Sequence, residues 1–116
     1  MDAATPAQTA YLADLRDTLA GQTGEEWEFI HGSADRRIAL ALTKRARQGE
    51  QYLATWAQQN NVGWLEPTTA DTTETIQARI AAMRARLLGL TVDDIAALTT
   101  TEASALIDAA KRLAHS

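Results

Sequence analysis

Cysteine is absent from this chain, which removes disulfides, thiolate nucleophiles and zinc sites built on sulfur, and fits a reducing cytosol. Histidine is nearly absent too. His31 and the penultimate His115 are the only two, and neither has a His or Cys partner at ligand spacing, so no metal site is expected. Aromatic residues make up 5% of the chain. No apolar run approaches the roughly 18 to 20 residues that cross a bilayer. The opening MDAATPAQ lacks the basic start and apolar stretch of a signal peptide, so a cytoplasmic protein without membrane contact is expected.

Enzyme constellations are also missing. Ser104 lies in a helical pattern with no histidine nearby, and Asp93-Asp94 and Glu25-Glu26 are adjacent pairs whose side chains diverge on a helix. There is no glycine-rich phosphate loop. Catalysis needs convergent, tuned groups; none is visible, so neither an enzyme nor a cofactor is expected.

The 116 residues suit one domain with a modest core, and the hydrophobic 46% is rich in alanine. Alanine favours helix and close helix packing. The expectation is an all-α fold: a compact bundle of four to five helices in a single domain, residues 1–116.

The stretch from Ser33 to Asn60 organises the rest and reads as one long central helix. Ser33 is suited to cap it, and Asp35 suits the first turn. Ile38, Leu42, Ala46, Gly49, Leu53 and Trp56 recur at three and four residues, which puts them on one face. Leu53 and Trp56 are expected to be buried. Arg36, Arg37, Lys44, Arg47 and Gln51 cluster away from that stripe, with Leu40 among them and Arg45 near the apolar edge. The plain reading is a solvated basic face. The sharper one is a patch that meets phosphate or an acidic partner protein.

Other elements follow in order. Residues before Thr5 are expected to fray. Thr5, Pro6 and Gln8 make a capping box with proline at the first helical position, opening a helix with Tyr11, Leu12, Leu15 and Leu19 on one face, and Gly21 stops it. In Glu25–Gly32, Trp27 and Phe29 alternate with Glu26 and Glu28, as in a short extended segment or a helical turn laid on the core. This stretch reads either as a loop sealing the bundle or as an acidic-aromatic hook, Glu26, Trp27 and Phe29, for a partner protein. Asn60-Asn61 ends the central helix, and Thr68–Thr73 is a polar loop. Asp71 and Glu74 mark the start of a helix over Thr73–Leu88 with the stripe Ile76, Ile80, Met83 and Leu87. Arg79 and Arg86 flank that stripe on one side. A short helix capped by Thr91 and a last one opening at Thr99-x-x-Glu102 complete the chain.

Charge is uneven beneath a net −4: residues 1–33 carry six acids and one base, and residues 34–50 carry five bases and two acids. The pI of about 5.0 argues against a general nucleic-acid binder.

Two segments carry a resemblance. Thr5-x-x-Gln8-x-x-Tyr11-Leu12-x-x-Leu15 resembles the first helix of small actinobacterial and actinophage domains of unknown function, and Leu98-Thr99-x-x-Glu102-Ala103-Ser104-x-x-Ile107-Asp108 resembles their closing helix. Similar pairs occur at the tails of phage and bacterial proteins that handle DNA. In those modules a short loop joins the two helices. Here about eighty residues intervene, and the lysine often found near the second start is Thr100. The resemblance implies a phage or actinobacterial origin and end helices, 5–20 and 99–114, packed together. It implies that residues 33–90 are an insertion carrying the protein's own task. It supplies no catalytic residues.

Two functions remain. One is an interaction module that binds and modulates a host protein, using tryptophan and arginine as interfaces do. The other is a DNA- or RNA-associated accessory protein using Arg36, Arg37, Lys44, Arg47, Arg79 and Arg86. Self-association as a homodimer, completing a small alanine-rich core, is a further partner reading.

Overall fold

Thr5 opens the first helix as its sequence requires. In the computed structural model, which describes residues 2–114, its hydroxyl accepts the Gln8 N–H at 3.2 Å and Gln8 Oε1 accepts the Thr5 N–H at 3.0 Å. The helix α1 is Pro6–Ala20. Five more α-helices follow: α2 Glu25–Ala46, α3 Glu50–Gln59, α4 Thr73–Leu88, α5 Val92–Ala96 and α6 Thr100–Ala114. A 3-10 turn spans Gly63–Leu65. Among the described residues there is no β-strand, only one isolated β-bridge, Ala3 to Thr99. The all-α expectation holds, with six α-helices among the described residues rather than four or five. His115 lies outside the described residues.

The contacts divide the chain into two compact units, one joining the residues through Thr23 to those from Met83 onward, the other Gly24–Ala82. In the first, α1 packs on α6, as expected for the end helices. They run parallel: the Gln8 amide donates to the Thr100 carbonyl at the start of α6, and the Gln22 amide donates to the Ala114 carbonyl at its end. Leu12, Leu15, Leu19, Leu87, Ile95, Leu106 and Leu113 are buried in this unit, each worth about 1.5–3 kcal/mol in area removed from water. Tyr11, placed on the apolar stripe by its spacing, stays 44% exposed.

Residues 2–4 are not frayed, and Met1 lies outside the described residues. The Ala4 N–H donates to the Leu98 carbonyl at 2.9 Å, and the Thr100 N–H donates to the Asp2 carbonyl at 3.0 Å. These bonds satisfy backbone groups that the start of a helix otherwise leaves to water.

In the second unit the central helix differs from its sequence reading in two ways. It begins eight residues earlier, at Glu25, so Ser33 lies mid-helix and caps nothing. Trp27, His31, Ala34 and Ile38 extend the core stripe backward at helical spacing, which the Trp27–Phe29 alternation obscures. Three acids, Glu25, Glu26 and Glu28, occupy the first turn, where they complement the helix dipole.

It also ends earlier, at Ala46. Gly49 holds φ +106° and caps α3, a conformation closed to most side chains. Gly49 is therefore a hinge between α2 and α3 and not a member of the apolar stripe. Asn61, with φ 56°, takes the left-handed conformation anticipated at the end of α3.

Leu53, Ala57, Val62, Leu65, Ile76 and Ile80 join Ile38, Ala39 and Leu42 as the buried apolar set of this unit. Trp56 is only half-buried, with the Arg45 guanidinium 5.2 Å from its ring centroid. It joins α2 to α3 through a cation–π contact at the core edge, and its truncation should cost less than the roughly 3–5 kcal/mol of a core tryptophan.

Candidate interaction face on the central helix

Helix α2 supplies the candidate site because its two sides are chemically distinct. Ala34, Ile38, Ala39 and Leu42 are buried, along with His31 and Asp35 one turn apart. At about 100° per residue, Glu26, Phe29, Ser33, Arg36, Arg37, Leu40 and Lys44 occupy a sector about 100° wide on the opposite side. All seven are exposed. Arg47, the C-cap residue, is exposed just beyond the end of the helix.

Two groups that the sequence presented separately thus share one surface. Phe29, from the acidic-aromatic stretch, is 78% exposed, and Leu40, among the basic residues, is 46% exposed. They lie eleven residues apart, about three helical turns or 17 Å. Arg36 and Arg37 lie between them, Glu26 lies at one end and Lys44 at the other. Among the described residues, Arg36, Arg37, Lys44 and Arg47 form no ion pair.

The Glu26, Trp27 and Phe29 hook is divided by the helix. Trp27 turns inward, half-buried, and stacks on His31 with ring centroids 5.7 Å apart and planes 25° apart. Glu26 and Phe29 face water. Residues one and two positions from each other point to different sides of a helix, so the three cannot act as one patch.

Arg79 is engaged by a carboxylate. Arg79 donates to both carboxylate oxygens of Asp71, one bond at 2.8 Å, and to the Leu65 carbonyl at 3.2 Å. The bonds from Arg79 hold the Asp71 carboxyl down to about 2, with the Thr68 N–H and the Thr75 hydroxyl adding to the effect against partial burial; Arg79 is raised in turn. This is a bidentate clamp on the loop before α4. The sequence marks Asp71 only as a helix start; Thr72 and Thr75 instead exchange the capping bonds, at 2.9 and 3.2 Å. Arg86, two turns further along α4, is exposed and belongs to the other unit. Its charge adds to the lowering of the Glu102 pKa, which is caused first by the backbone and hydroxyl of Thr99.

Leu40 is the residue whose role went unassigned in the sequence, although its place among arginines was visible there. Elsewhere, an apolar hollow between α1 and α5 is lined by Thr9, Ala10, Ala13, Val92, Ile95 and Ala96, with no charged group to orient a ligand. Among the described residues no group of three or more His, Cys, Asp or Glu side chains is placed to hold a metal ion, and no helix is long and apolar enough to cross a membrane. Comparisons with protein families, curated proteins and solved structures give no match to this chain.

Proposed function

We propose that this chain is a small non-enzymatic interaction module, of phage or actinobacterial origin and acting in the cytoplasm, that binds and modulates a host protein through the exposed face of α2. The observation that carries this reading is Phe29, 78% exposed on the same side as Leu40, Arg36 and Arg37. A large aromatic side chain held in water by a helix whose other side forms a core is an apolar anchor of the kind that dominates protein interfaces. The arginines beside it supply the second residue type enriched at such hot spots. The origin rests on the resemblance of the two end helices.

The basic residues also favour a second reading, an accessory protein that contacts nucleic-acid phosphate. Arg36, Arg37, Lys44 and Arg47 are exposed without ion pairs among the described residues. Against it stand the net charge of −4 and the presence of Glu26 and Phe29 on the same face. Arg79 is committed to Asp71.

The test is affinity capture from nuclease-treated actinobacterial lysate, with the wild-type chain and a Phe29→Ala/Leu40→Ala variant as baits. Retention of a specific protein by the wild type, lost in the variant, supports the module. A catch that the variant retains in full, or that nuclease removes, contradicts it.

A further inference from the structure

The α2 face is complementary to itself when turned end over end. We infer that it takes a second copy of this chain, with the two α2 helices antiparallel about a twofold axis level with Ala34 and Asp35. This inference goes beyond the proposed interaction module and uses the same surface, for which the copy and a host protein compete. In an isologous contact, each pairing occurs twice. The register that sets Phe29 against the partner's Leu40 brings Glu26 within one residue, about 1.5 Å of helix rise, of the partner's Lys44. Because a twofold axis across the helices preserves the flank, Glu26 and Lys44, at the same angle on the helix, meet on one side.

The same register sets Arg36 level with the partner's Ser33, whose exposed hydroxyl can accept from the guanidinium. The ends agree too: three acids in the first turn of α2 lie opposite the Lys44 and Arg45 turn of the copy, and antiparallel helix dipoles attract. A parallel pairing lacks the Glu26–Lys44 contact, since each of these charges then meets its own copy.

One helix face against its copy is small for an interface, so the expected dimer is weak and reversible. Sedimentation equilibrium of the full chain over a wide concentration range tests it, with circular dichroism confirming that each variant is folded. The wild type should show a monomer–dimer equilibrium. Phe29→Ala should weaken dimerisation about tenfold, as loss of a central anchor does. Glu26→Lys and Lys44→Glu should each weaken it, because each places like charges together twice. The two combined in one chain should restore it. A wild type that stays monomeric at all concentrations overturns the inference, as does a dimer indifferent to Phe29→Ala, or single charge reversals that the double variant fails to rescue. If the chain is monomeric while Phe29→Ala/Leu40→Ala still abolishes capture of a host protein, the interaction module stands and only the self-pairing falls.

Discussion

The Arg79 guanidinium holds both carboxylate oxygens of Asp71 across eight residues of chain, tying the loop after the 3-10 turn to the second turn of α4. The Asp71 side chain is 6% exposed and that of Arg79 42%, so one partner is shielded and the other wet. This geometry converts a surface arginine, read in the sequence as a candidate phosphate contact, into a structural group.

The pair makes stability depend on acid. The Asp71 carboxyl sits at about 2 against an ordinary 3.8. A depressed carboxylate contributes stability that is fully present above its unfolded value and lost as pH falls through the folded one. Discounted for the exposure of Arg79, the contribution is about 1–2 kcal/mol. Asp71→Asn should therefore lower the unfolding free energy by about that amount at neutral pH, with the difference from wild type disappearing between pH 4 and pH 2. Urea denaturation at a series of pH values checks it.

Gly49 and Gly32 should respond oppositely to alanine. Gly49 carries φ +106°, where a side chain is strained, so Gly49→Ala should destabilise by about 1 kcal/mol or more. Gly32 lies inside α2 with open space around it, so Gly32→Ala should raise stability by up to about 1 kcal/mol through helix propensity. Thermal melts followed by circular dichroism separate the two signs.

Helix starts were legible where a cap is a local exchange of bonds. The Thr5–Gln8, Thr91–Asp94 and Thr99–Glu102 pairs each satisfy two backbone donors within four residues, so their signal lies in adjacent letters. The break at Gly49 was not legible, because the spacing from Leu42 and Ala46 to Leu53 stays helical across it while the φ angle leaves no mark on periodicity. Glu25–Gly32 is ambiguous in the sequence because Trp27 and Phe29 alternate like a strand, yet Trp27 also lies four residues before His31; the helical alternative is the one found. The candidate face was half legible. Its basic residues were evident, but the extension of α2 to Glu25 is what brings Phe29 alongside them.

The closing cap should have a measurable contribution. Thr99→Ala removes the hydroxyl that accepts the Glu102 N–H at 3.2 Å, at the start of the helix that packs on α1. The expected loss is about 1 kcal/mol. Chemical denaturation reads it directly.

Duplex DNA should bind weakly. The four exposed basic residues on and just beyond α2, in a chain of net charge −4, should give, at most, association at low salt that fades steeply as salt rises. A fluorescence titration at low and moderate salt checks this, alongside a variant with Arg36, Arg37, Lys44 and Arg47 replaced by glutamine. Binding that persists at moderate salt and disappears in that variant would favour the phosphate reading.

The proposed α2 interface depends most on Phe29 being a surface anchor and not part of the core. The measurement that tests this most directly is the unfolding free energy of Phe29→Ala at a concentration where the chain is monomeric. A side chain 78% exposed on a helix predicts a change within about 0.5 kcal/mol of wild type. A loss of about 3–5 kcal/mol, the cost of removing a core phenylalanine, would mean that Phe29 is buried and that the α2 face has no anchor to offer a partner.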